Sequence, residues 1–139
     1  LAVHSNYFKQ QFYGEEPAKQ PLVLEDLEYD AFVDFVSLIY PERKPLTPAN
    51  LAAVIAIAQR FRCAFAMHLC EKFLRRDCTF SMYKRLEFAD RYGLTFLEDE
   101  LLRAMRGWNF GVALRYGRNR FSDRLKWKLC GWRVKSANK

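Results

Sequence analysis

Histidine and cysteine are scarce in this chain of 139 residues, two of the first and four of the second, and no two cysteines form a CxxC pair. His68 and Cys70 fall two apart on a helical stretch and point to different faces, so a zinc site would need ligands from elsewhere. Glycine is also sparse, and neither a GxxxxGK[ST] nor a GxGxxG phosphate cradle occurs; Gly107, Gly111, Gly117 and Gly131 are too dispersed to make one. Ser5 stands beside His4 but lacks the glycines of a nucleophile elbow and any third orienting group. The expectation is a chain with no catalytic residue, no metal site and no cofactor, hence not an enzyme.

Long apolar runs are missing as well. No segment reaches the roughly 18 consecutive apolar residues of a membrane span. No basic and apolar leader opens the chain, and Leu1 stands in place of an initiator methionine, so it reads as a fragment or processed piece. Cys63, Cys70, Cys78 and Cys130 lie mostly among apolar helical positions, which suits reduced thiols in a cytoplasmic or nuclear protein.

What the sequence does contain is hydrophobic residues, 50% of the chain, with 16% aromatic, enough to bury one core at this length. Leu1, Ser5, Phe8 and Phe12 share a helical face, and a polar loop over 15–21 leads to Leu22-Val23-Leu24, a brief strand. Asp26 is placed to cap a helix carrying Phe32, Phe35, Val36 and Ile39, which Pro41 stops. Thr47 and Pro48 open the next, with Leu51, Val54, Ile55 and Ala58 inward, and Ala66, Met67, Cys70, Phe73 and Leu74 form a third stripe. Met82, Leu86 and Ala89 predict a helix ended by Gly93. Thr95 to Glu98 has the spacing of a capping box ahead of Leu97, Leu101, Leu102 and Met105, with Gly107 as the stop.

Charge divides the chain sharply. Residues 1–105 carry 13 Lys/Arg against 15 Asp/Glu, whereas residues 106–139 carry 10 against Asp123 alone. Over Trp108, Phe110, Val112, Leu114 and Tyr116 the pattern alternates as a strand would, weakened by glycine; Phe121, Leu125, Leu129 and Trp132 return to helical spacing, with Ser122 placed as a cap.

The order of these elements resembles the BTB/POZ family. Leu1-Ala2-Val3-His4-Ser5-Asn6-Tyr7-Phe8 is similar to its "L-A-x-x-S-x-x-F" helix, and Phe35 to Pro41 to its "L-x-x-I-Y" helix end. Leu46 to Leu51, Ala58 to Phe61 and Cys70 to Leu74 resemble, in order, its "l-T-x-x-N", "A-x-x-F" and "C-x-x-F-L" hairpins. The resemblance implies a mainly α fold of an α+β family: stacked helical hairpins with a short strand, over 1–77. A helical extension at 78–106 then precedes a basic aromatic tail at 107–139. The strand and helix that precede this opening in the family, and carry most of its homodimer interface, are not in the sequence, which puts self-association of the fragment in doubt.

Many members of that family are substrate adaptors that bind a cullin-3 scaffold. The resemblance gives Tyr13-Gly14-Glu15 the place of the hydrophobic-x-Glu pattern such adaptors use, and Tyr40 the place of a tyrosine on the same surface. An aromatic anchor beside a carboxylate is sound interface chemistry in its own right. The bland alternative is that Tyr13 caps the core and Tyr40 merely ends a buried stripe. A different function class attaches to the tail, whose cations and three tryptophans could bind nucleic acid or an acidic surface, though a solvated basic end is the commoner meaning of such a run.

Overall fold

A computed structural model describes Tyr7 and residues 26–40, 45–76 and 79–137, with residues 136 and 137 described by backbone only. Seven α-helices and one 3₁₀ turn make up the ordered elements among the described residues, with no strand. The expected loop at 15–21 and short strand at Leu22–Leu24 lie outside them, as does the opening helix apart from helical Tyr7. The chain divides into two compact units, Leu1–Cys78 and Thr79–Lys139.

In the first unit, α1 (Tyr29–Ile39), α2 (Leu51–Arg60) and α3 (Ala64–Arg76) pack pairwise. Each buries the stripe that its three-and-four spacing dictates: Ala31, Phe35, Leu38 and Ile39 on α1; Leu51, Val54, Ile55 and Ala58 on α2; Ala66, Cys70, Phe73 and Leu74 on α3. Phe61, at the bend between α2 and α3, gathers these stripes. Its ring lies 6.3 Å from Phe32, 6.4 Å from Phe35 and 5.1 Å from Tyr7, tying the opening segment to the hairpins. Its near-complete burial contributes about 2–3 kcal/mol of transfer free energy.

Local signals set the helix ends, not always as expected. Asp26 does not cap α1; it sits in the left-handed region at φ 56, and Glu28 takes the N-cap place without a side-chain bond. Thr47 and Pro48 open a turn over 48–50 and not the helix itself, whose N-cap place is taken by Asn50: the Thr47 hydroxyl accepts from the Asn50 amide at 3.3 Å while Asn50 Oδ1 accepts from the Thr47 amide at 2.8 Å, a reciprocal box that closes the turn. Arg62, at φ 51, closes α2 with the Cys63 amide donating to the Ala58 carbonyl at 2.9 Å. That six-to-one bond reverses the chain in two residues and lets α3 begin at Ala64.

In the second unit, α4 (Met82–Tyr92) pairs with α5 (Thr95–Ala104), and α6 (Gly107–Tyr116) with α7 (Asp123–Ala137), the latter two joined by the 3₁₀ turn Gly117–Asn119. Gly93, at φ 67, ends α4 as expected. Gly107 does not stop α5; that helix closes at Met105, and Gly107 is the first residue of α6. The strand-like alternation over Trp108–Tyr116 is also overturned. Asn109, Phe110, Ala113 and Gly117 form the buried stripe of a helix, whereas Trp108 is 69% and Val112 37% exposed. Asn109 makes that helix start work, since its Oδ1 accepts from the Arg106 amide at 2.8 Å and its amide nitrogen donates to the Tyr83 hydroxyl.

Candidate docking surface

Tyr13 and Glu15, two of the three expected contact residues, lie outside the described residues. Tyr40 is described. It stands directly after α1 in extended backbone, its amide donating to the Val36 carbonyl at 3.2 Å, and is 39% exposed although Leu38 and Ile39 just before it are buried. The helix stripe therefore ends on a tyrosine that is part-exposed, next to two residues that are buried.

Two residues before Tyr40, Leu38 contributes to a shallow groove of about 340 Å³, lined also by Pro45, Leu46, Leu69, Lys72 and Phe73. The groove follows from the packing of α1 on α3: Leu38 and Phe73 belong to the buried stripes, and Leu69 lies between Ala66 and Phe73 on the same side of α3. Leu69 escaped the sequence reading, though its three-and-four spacing from those residues is the signal that finds it. An apolar trough with one ammonium at its rim suits a peptide or helix with apolar and acidic groups.

Cys63 and Cys70 are buried free thiols; burial raises the first and pushes the second up to about 12, so neither is a nucleophile at neutral pH. Among the described residues no cluster of three or more His, Cys, Asp or Glu could hold a metal ion. No described helix is long and apolar enough to cross a membrane.

The basic region of the second unit is built differently from a loose tail. Arg124 donates to Glu98 at 2.9 and 3.1 Å, and Lys128 reaches Glu98 at 3.3 Å and Asp99 at 3.2 Å. Lys126 donates to the Arg118 carbonyl. Ser122 caps α7, its hydroxyl accepting from the Leu125 amide at 3.3 Å and donating to Asp90 at 2.6 Å. The expected capping box at Thr95 is accordingly a misreading of Glu98. Leu94 is the N-cap residue of α5, and Glu98, 1% exposed, is occupied by the cations of α7.

Comparison with known proteins agrees with this geometry. The family model described as the BTB/POZ domain matches residues 1–77. A BTB and MATH domain-containing protein 38 of Caenorhabditis elegans is 30% identical over 108 residues, covering 76% of this chain and 28% of the relative. A BTB and MATH domain-containing protein 36 of the same organism is 25% identical over 121 residues, covering 86% of this chain and 38% of the relative. Cytokinesis defective protein 7, also of C. elegans, is 33% identical over 81 residues, covering 57% of this chain and 30% of the relative. The chain thus spans about a third of the length of these relatives, and no solved structure matches it. A family match over more than half the chain, on the unit whose three helices stack as the motifs require, settles the assignment: the chain belongs to the BTB/POZ domain family, a family of protein–protein interaction modules.

Proposed function

We propose that this chain is a substrate adaptor-like interaction module that binds a cullin-3-type scaffold of a ubiquitin ligase, with Tyr13, Glu15 and Tyr40 as the contact residues. The observation that carries the reading is Tyr40, exposed at the end of a helix whose preceding residues are buried, two positions beyond the Leu38 that lines the apolar groove. An aromatic ring of this kind supplies contact area at low entropy cost, and Glu15 would orient a basic partner. Substrate choice would belong to another part of the longer protein, which would self-associate and work in the cytoplasm or nucleus.

Nucleic-acid binding through the C-terminal region has less support. Arg124 and Lys128 pair with Glu98 and Asp99, so part of the basic excess is neutralised within the fold, and Trp132 is half-buried.

The test is co-purification of the 139-residue chain with the N-terminal region of a cullin-3 scaffold. The wild-type chain retains the scaffold, and Tyr13→Ala with Glu15→Ala loses it; scaffold retained by that double variant counts against the reading. The control for the C-terminal region is Trp108→Ser with Arg115→Ser, not deletion of 108–139, because deletion would strip α6 and α7 from the core of the second unit.

A further inference from the structure

The second unit carries an apolar stripe that its own fold does not use. Helix α7 buries Leu125 and Leu129 on one side, yet on the opposite side Trp127 is 78% and Val134 62% exposed, with exposed Cys130 and Gly131 between them. Positions 127, 130, 131 and 134 fall at the zero, three, four and seven spacing of a single helical seam. A Cβ at Gly131 would meet nothing within 4 Å, so a second backbone can approach closely there.

The flanks of the seam identify what fits it. On one side stand Lys126 and Arg133, a heptad apart; on the other stand Lys135 and the pair Arg124 and Lys128, which already answer Glu98 and Asp99. The one carboxylate within α7 is Asp123 at its start. A second copy of α7 laid antiparallel would set Lys126 against Arg133, a like-charge contact that opposes self-pairing. A membrane-surface helix needs a broad apolar face, and the broader face of α7 is already spent on Leu125 and Leu129. A narrow seam two turns long with cationic edges matches another helix.

We propose that the Trp127–Val134 face of α7 docks an amphipathic helix of a partner protein whose apolar stripe is flanked by Asp or Glu. This proposal does not rest on the reading of Tyr13, Glu15 and Tyr40 as contact residues. Apolar residues of the partner pack around Trp127 and over Gly131, while its carboxylates face Lys126 and Arg133.

The probe is a pair of fluorescein-labelled three-heptad peptides with leucine at both seam positions, one flanked by glutamate and the other by lysine, titrated into the full chain by anisotropy. The glutamate peptide binds about ten-fold more tightly than the lysine peptide, as two to three favourable exposed charge pairs allow. Trp127→Ser with Val134→Ser removes that binding, and Lys126→Glu with Arg133→Glu inverts the preference. Trp127, Val134 and Arg133 are exposed, and Lys126 is half-buried with its ammonium on the Arg118 carbonyl, so circular dichroism of each variant checks that the helix is kept; Tyr13→Ala with Glu15→Ala leaves peptide binding unchanged. Equal affinity for the two peptides, or a preference untouched by the charge reversal, overturns the proposal. So does a Trp127-dependent dimer in a mass measurement of the chain alone, or Trp127-dependent binding to phosphatidylserine vesicles without binding of the glutamate peptide.

Discussion

The guanidinium of Arg124 holds the buried carboxylate of Glu98 with both terminal nitrogens, at 2.9 and 3.1 Å, across 26 residues of sequence. Glu98 is 2% exposed in its side chain and Arg124 56%, so the pair is half in water, and the arginine is the replaceable partner. Arg124→Ala leaves a buried carboxylate with Lys128 as its remaining cation. The expected loss is about 2 kcal/mol, below the 3–5 of a fully buried pair because of that solvent access. Urea unfolding followed by circular dichroism measures it; Glu98→Gln with Arg124→Ala should lose less than Arg124→Ala alone, since no buried charge remains unanswered.

Gly117 is held to glycine by Phe121. A Cβ at 117 would overlap the Phe121 ring, which is itself buried and packed 5.9 Å from Tyr116. Gly117→Ala is therefore expected to cost about 1–3 kcal/mol through overpacking at the α6–α7 turn. The second change Phe121→Leu should recover part of it, because a smaller side chain gives the new methyl room.

Thiol reactivity separates buried from exposed cysteines. Burial, aided by the proximity of Cys63, pushes Cys70 up to about 12. Its folded value thus exceeds the usual 9.0, and the stabilisation this represents is present below pH 9 and lost as pH climbs toward 12. Brief iodoacetamide treatment at neutral pH, with peptide mapping by mass spectrometry, should modify exposed Cys130 and spare Cys63 and Cys70. Urea should abolish that protection.

Tyr116 gives the second unit a pH dependence of the same sign. Burial, and then the hydrogen bond its hydroxyl donates to Glu87 at 2.8 Å, raise the phenol above its ordinary 10.0. A raised folded value means stability intact below pH 10 and declining as pH passes through the higher folded value. Thermal melts from pH 8 to 11 should fall more steeply for the parent than for Tyr116→Phe, which has nothing to ionise there.

The three described helices of the first unit are readily legible in the sequence. Leu51, Val54, Ile55 and Ala58 recur at helical spacing with no competing period, and all four are fully buried. Legibility failed where two patterns shared the same residues. Trp108, Phe110, Val112, Leu114 and Tyr116 alternate, but the glycines and Ala113 between them permit a helix whose buried stripe is Asn109, Phe110, Ala113 and Gly117. Glu98 was misread for a related reason: local spacing from Thr95 fits a cap, while its actual partners, Arg124 and Lys128, belong to another helix and leave no mark in a short window. Tyr40 is singled out by the family resemblance alone; nothing in local periodicity distinguishes this part-exposed tyrosine from the buried Ile39 beside it.

Calorimetric titration of the chain with the cullin-3 scaffold's N-terminal region, comparing the parent with Tyr40→Ala and Trp127→Ser, bears most directly on how this module works. Loss of an interface aromatic costs about 2 kcal/mol, or some thirty-fold in affinity. Tyr40→Ala should show that weakening while Trp127→Ser binds like the parent. Parental affinity in Tyr40→Ala, or the loss appearing in Trp127→Ser instead, would contradict the account.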